Sequence, residues 1–348
     1  MIEVQDRIEI AGDNLDGLLQ LFHRDYIAQA AQRGLRFVEH RISPPVKLQS
    51  APVTLWLRWQ VEDTQAWWAM RAQSGDPGVA RFWAQVDTLC VAREREYLCD
   101  SVPGELPGAE DVSRFQVTTH SYRETAQLSI KEDVDAEQRT VLEAILRDAA
   151  AELPGVERVE LAANYAPEYA VGHYTWDILY PDRDTAEAAQ RSAYWTNSVA
   201  AALERYCSAC HALRLDTVNA GVRRKDLANG VKRTAFFRLL PGTGADTAQR
   251  FEQDLLEMAR QIPDILNWRL SRAQVLPWDT ADCAPWTYVW EQEFESLDGL
   301  LGPYMAHPHH WAHVDRWFDP ESGKQAVDVN LSHAFSALEK SIIGAESN

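Results

Sequence analysis

The feature that most constrains this chain is a recurrence. The order strand, helix, strand, strand, helix, strand can be followed three times along the 348 residues. Each pass takes roughly a hundred residues, the size of one compact domain. Helices in that order need a sheet face to pack on, so the fold class is α+β.

In the first pass, 2–10 alternates apolar and polar residues, the mark of a half-buried strand. A helix is predicted over 15–32, with Leu15, Leu18, Leu19, Phe22 and Tyr26 on one face and Gly34 as its stop. Strands over 35–46 and 53–61 flank Pro44-Pro45, and a broken helical region over 64–89 leads to a strand over 90–98. Residues 100–111, rich in Pro, Gly and acids, read as a linker. The second pass predicts a first strand region over 115–130, a helix over 135–152 and strands over 156–165 and 174–180. A second helix over 184–206 and a last strand over 211–218 follow. Residues 219–230 read as a second linker. The third pass predicts strands over 231–240, 265–276 and 286–294, with a helix carrying Phe251, Leu255, Met258, Ala259 and Ile262 on one face. Helical structure over 297–318 and a final strand over 325–331 complete it.

A βαββαβ unit is ferredoxin-like: four antiparallel strands with two helices on one face. The other face is expected to be apolar and to need a cover. Two such sheets face to face make an α/β barrel. The expected organisation is three tandem ferredoxin-like units, over 1–100, 112–219 and 230–340, of which the first two are divergent. Two can pair within the chain, and the third then pairs across the axis of a homodimer.

A formal net charge of −18 argues against nucleic acid and anionic membranes as partners. No apolar run reaches membrane-spanning length and the N-terminus lacks the features of a signal peptide, so a cytoplasmic location is expected. Cys207-Ser208-Ala209-Cys210-His211 matches the c-type haem attachment motif, but that chemistry requires export, so two buried or half-buried thiols are expected instead. There is no phosphate loop, nucleophile elbow or dinucleotide fingerprint, and no cofactor is expected.

The chemistry concentrates in Tyr304-Met305-Ala306-His307-Pro308-His309-His310-Trp311-Ala312-His313, which holds four of the ten histidines. Histidine titrates near neutral pH and serves as a proton carrier. His309 and His313, four apart, are the better-spaced pair for a metal, with Asp315 or His333 as further ligands. The expectation nonetheless is that no metal is bound. Thirteen tryptophans also suit a pocket for a flat aromatic ligand. Trp286, Tyr288, Trp290 and Trp311 are the candidate wall, although Trp286, Tyr288 and Trp290 share a strand face that general core would also use.

Three stretches of the third pass carry a resemblance: Val231-Lys232 with Pro241-Gly242-Thr243, Phe294-Glu295-Ser296, and Tyr304 followed by His307-Pro308-His309-His310. In these it resembles the stress-responsive dimeric α/β-barrel (Dabb) family, and in particular olivetolic acid cyclase-type proteins. The first two passes resemble the wider superfamily by pattern only. The resemblance implies a general base at His310, an assisting phenol at Tyr304 and His307 as the first histidine of the motif. Where the cyclase type has a histidine after Val-Lys, this chain has Arg233, which suits a carboxylate, enolate or phenolate oxygen. The implied function is a cofactor-independent lyase, cyclase or isomerase acting on an aromatic, phenolic or polyketide-like small molecule. The alternatives are a quinone-forming monooxygenase of the same superfamily and a non-catalytic stress-responsive ligand-binding protein.

Overall fold

The structure is a computed structural model and describes residues 1–48, 51–99 and 108–346. The predicted first linker lies largely outside the described residues. The chain divides into two compact units.

One unit comprises Met1–Gly108 together with Leu240–Met258 and Met305–Asn330. Its sheet contains β1 (Ile2–Ala11), β2 (Arg36–Ser43), β3 (Pro52–Val61) and β4 (Cys90–Leu98), all antiparallel in the order β2-β3-β1-β4. Strict alternation turns Val4, Ile8, Leu55, Leu57 and Trp59 inward, against Leu18, Phe22, Trp67, Phe82 and Trp83 of the helices. The opposite face carries Glu3, Gln5, Arg7, Glu9 and Arg58, all half-buried. It is polar, where an apolar face was expected.

Segment 305–330 is built into this unit. Trp311 joins its core, with its ring 5.4 Å from that of Trp67. Glu321 is buried; it accepts from Arg33 at 2.8 Å, from Trp83 Nε1 at 3.1 Å and from the Tyr26 hydroxyl, and forms an ion pair with Arg95 at 3.1 Å. These guanidinium groups hold its carboxyl well below the usual carboxylate range.

The other unit comprises Ala109–Leu239, Ala259–Tyr304 and Leu331–Asn348. It holds β5 (Tyr122–Ile130), β6 (Arg158–Ala163), β7 (Tyr174–Tyr180), β8 (Cys207–Val222), β9 (Ala228–Phe237), β10 (Asn267–Val275), β11 (Tyr288–Phe294) and β12 (Ser332–Lys340). These form one sheet in the order β12-β9-β11-β10-β8-β5-β7-β6. Its two ends meet through an Asn164–Ser336 bridge and a hydrogen bond of 2.7 Å from the Tyr165 N–H to the Phe335 carbonyl. The sheet therefore closes into a barrel at this seam.

The barrel interior corrects the expectation of an apolar sheet face a second time. Arg123 pairs with Asp177 at 3.0 Å and with Glu291, while Lys232 pairs with Glu291 at 2.9 Å and with Asp177. All four side chains are buried. A charged interior is tolerable because each ion faces two of opposite sign. One mouth is filled by the C-terminal segment. Glu293 accepts the backbone N–H groups of Ile342 and Ile343 at 2.9 and 3.1 Å, and Glu346 pairs with Arg269 and Arg123.

Two expected elements move. The final strand is β12, not 325–331, because Ser332, Ala334 and Ser336 fill its buried positions and give little hydrophobic signal. Residues 219–230 are mostly strand, since β8 runs to Val222 and β9 starts at Ala228. Their polar composition reflects pairing with β10 and β12 rather than a linker.

Candidate functional site

On β9, Lys232 and Thr234 point into the barrel, so Arg233 between them points to the opposite side of the sheet. The same alternation on β11 places Glu291 and Glu293 inside and Trp290, Gln292 and Phe294 on the side of Arg233. Gln292 is the register partner of Arg233 and accepts from it at 2.9 Å. The ring nitrogens of His333, on the neighbouring β12, lie 3.3 Å from the guanidinium. Tyr304 completes the group: its ring centre is 5.6 Å from the Arg233 guanidinium carbon and 5.5 Å from the ring of Phe294, edge-on.

Arg233 is 3% exposed, and among the described residues it has no carboxylate within ion-pair distance. Burial lowers its pKa, with Tyr304 acting in the opposite sense. Tyr304 is equally buried, and burial raises its pKa against the opposing influence of Arg233 and Gln292. It is therefore a neutral phenol at physiological pH, able to donate a hydrogen bond. Taking a guanidinium out of water without a counter-charge is costly. Here Gln292, His333 and Tyr304 lie around it and, among the described residues, no carboxylate does, which leaves its charge available to an anion.

His307, His310 and Trp311 belong to the other unit, and the boundary passes between Tyr304 and Met305. His307 is 6% exposed, and its Nδ1 accepts the His309 N–H at 3.2 Å. Its proton must then sit on Nε2, which has no partner among the described residues. Burial lowers its pKa, so it is a neutral imidazole with a free donor. His310 is buried beside Trp68, with ring centres 5.0 Å apart, and the Trp68 indole donates to the Met305 carbonyl at 2.9 Å. His309 and His313 are drawn to the helix Ala245–Gln261: His309 Nε2 lies 3.0 Å from the Asp254 carbonyl oxygen and His313 Nε2 lies 3.1 Å from its carboxylate. Arg316 and Trp317 donate to the same carboxylate at 2.9 and 2.7 Å, and its pKa is lowered to about 2.

The four candidate wall aromatics are dispersed. Trp290 lies on the Arg233 side of β11 and is 1% exposed. Trp286 and Tyr288 line an open groove of about 670 Å³ together with Arg272. The Trp286 indole donates to His211 Nδ1 at 3.1 Å, and Arg238 lies 4.2 Å from its ring centre. Trp311 is core of the other unit. Cys207 and Cys210 are both buried on β8, where a register shift opposite Ser129/Ile130 turns residues three apart toward one core.

Gln292 and His333 are the site residues that sequence reasoning missed as such. Gln292 was recoverable from the alternation of β11 once Arg233 was singled out. His333 was not, because the final strand was expected to end before it.

No curated protein sequence matches the chain. Solved structures with a similar course of the backbone include an anthrone oxidase-like protein at 11% identity, covering 67% of this chain and 94% of that one, with a TM-score of 0.44. A mutant chlorite dismutase from Candidatus Nitrospira defluvii has 8% identity, 66% and 93% coverage and a TM-score of 0.40. A NIPSNAP family protein from Agrobacterium tumefaciens has 19% identity, 31% and 100% coverage and a TM-score of 0.24. The family comparison falls on the segment that contributes most of β9, all of β10 and β11, Tyr304 and the histidines: residues 231–331 match the model of the stress responsive A/B barrel domain, Dabb.

Proposed function

We propose that the chain is an enzyme that performs acid–base chemistry on an anionic aromatic or polyketide-like small molecule, as a lyase, cyclase or isomerase. The observation that carries this reading is the buried Arg233 guanidinium, held by Gln292 and His333 beside the neutral phenol of Tyr304. A buried cation without a counter-ion suits a carboxylate, enolate or phenolate oxygen and stabilises charge that develops there. Tyr304 donates a hydrogen bond to the same developing anion. A histidine takes the proton from the carbon beside a carbonyl, and such general base catalysis is worth about 10²–10⁴-fold. His333, which belongs to the same unit as Arg233, is our assignment for that base; within the other unit His310 is a candidate base, with His307 presenting its Nε2–H as a donor. The roles are assigned separately within each unit.

We also read the chain as three ferredoxin-like modules, supported by three strand quartets that share one order. In that reading the polar open face of the β1–β4 sheet is the surface through which two copies form a homodimer.

The test is a thermal-shift panel of aromatic carboxylic acids and their methyl esters, followed by turnover assays on any acid that binds. Protection by acids alone, abolished in Arg233→Gln, supports the reading. Tyr304→Phe and either His310→Ala or His333→Ala should then lose turnover while keeping binding. Equal protection by acid and ester would sink the role of Arg233.

A further inference from the structure

Inside the barrel, Arg123 on β5 and Lys232 on β9 each bridge the same two carboxylates, Asp177 and Glu291. The register agrees: Thr125 pairs with Asp177 on β7 as Thr234 pairs with Glu291 on β11. The residue after Arg123 is Glu124, and like Arg233 it faces away from the interior. Its Oε1 accepts from Gln190, on the helix Arg183–Gln190, at 2.7 Å.

Glu124 is 1% exposed, and no cation lies within ion-pair distance of it among the described residues. Arg214, its register partner on β8, pairs instead with Asp216 at 2.7 Å. Among the described residues the buried Tyr180 hydroxyl and the Trp176 indole nitrogen have no hydrogen-bond partner, and the Glu124 carboxyl, beyond its bond from Gln190, is approached only by the indole of Trp278. The rings of Trp176, Trp195 and Trp278 meet at centroid distances of 5.4 to 6.2 Å. Trp278 is half-buried and is the most exposed ring of the three. An acidic group surrounded by indole and phenol rings, with no cation of its own, is the complement of an ammonium ion: the carboxylate supplies the charge and the aromatic faces supply cation–π attraction.

We propose that Glu124, Tyr180 and the indoles of Trp176, Trp195 and Trp278 form a second small-molecule site, independent of the Arg233 group, that binds a compact organic ammonium ion. Burial raises the Glu124 pKa to about 8, so without ligand it is a neutral acid at pH 7. The titratable groups facing it are Tyr122 and Tyr180, with Arg183 and Arg214 beside Tyr122. Binding exchanges one cation for another: the ammonium ion enters as its chloride, the carboxyl releases its proton to the buffer, and the site keeps its net charge.

The experiment is isothermal titration calorimetry on the full chain with propylammonium chloride and with 1-propanol, sodium chloride holding the ionic strength constant. Buffers of different ionisation heat report protons released. Propylammonium should bind and propanol should not. Proton release should approach one per site near pH 7 and fall toward zero above about pH 9. Glu124→Gln should weaken binding by at least about tenfold with the far-UV spectrum unchanged. Should that variant fail to fold, Trp278→Leu, which removes a half-buried ring, must weaken binding several-fold while proton release on binding persists. Binding of both ligands alike, no binding of propylammonium, or binding without proton release overturns the proposal.

Discussion

Arg233 and Glu124 hold the same place on two related strands, one step past the barrel-lining cations Lys232 and Arg123, and neither has a counter-ion among the described residues. The two quartets of strands share an interior quartet of charges and diverge on their outer faces. There one carries a guanidinium among neutral groups and the other a carboxyl among indoles. Outer-face residues are free to diverge in this way because they do not contribute to the ionic pairing that holds the barrel together.

Arg233→Met removes a buried charge that no carboxylate compensates. The variant is expected to be more stable than the parent by about 1–4 kcal/mol in denaturant melts, and to lose protection by anionic ligands. A loss of stability would mean that the guanidinium is structurally satisfied.

Lys232→Met leaves Asp177 and Glu291 sharing Arg123 alone. Breaking a buried ionic set by removing one partner costs about 3–5 kcal/mol, read as a drop in the denaturation midpoint. The double variant Lys232→Met with Asp177→Leu should recover part of that loss, since the one excess negative charge is then gone and Arg123 pairs with Glu291.

In the unit that holds the histidines, Glu321→Gln keeps the shape of the side chain and removes its charge from between Arg33 and Arg95. A loss of about 3–5 kcal/mol is expected. Fluorescence of Trp83, which donates to the same carboxylate, should report the change.

Two groups set opposite pH limbs of stability. Asp254 has a folded value of about 2, below its unfolded value of about 3.9, so its contribution is present above that value and is lost as pH falls toward 2. Glu124 has a folded value of about 8, above its unfolded value of about 4.3, so its contribution is complete below that value and is lost as pH rises through 8. Melting curves across pH should show a shallower acid limb in Asp254→Asn, where Glu321 and Asp177 still contribute, and a shallower alkaline limb in Glu124→Gln. A wild-type curve that stays flat between about pH 5 and 8 would contradict the Glu124 assignment.

Much of the secondary structure was legible because strand and helix periods are local. The strands 90–98 and 174–180 were placed at their observed limits from alternation and flanking breakers. What alternation cannot tell is the nature of the covered face. Arg123, Lys232, Asp177 and Glu291 look like solvent-facing charges in sequence, and only strand pairing shows that they neutralise one another in a barrel. β12 was missed because serine and alanine fill its inward positions. At the candidate site, Arg233 and Tyr304 stood out by the residues around them, and the structure brings them together. His307, His310 and Trp311 stood out just as clearly, but no periodicity says which unit a segment joins. Glu124 gave no signal, since an isolated glutamate in a strand is the commonest of surface residues.

The contact between Tyr26 and Glu321 spans 295 positions of the chain. A nascent polypeptide can pair β1 to β4 early, yet Arg33, Arg95 and the Tyr26 hydroxyl then await a carboxylate made more than two hundred residues later. This sheet is thus completed only after the segment around Glu321 has been synthesised, and a fragment ending near residue 108 would expose two arginines meant for burial. Long-range closure of this kind slows folding and lengthens the interval in which chaperones can act.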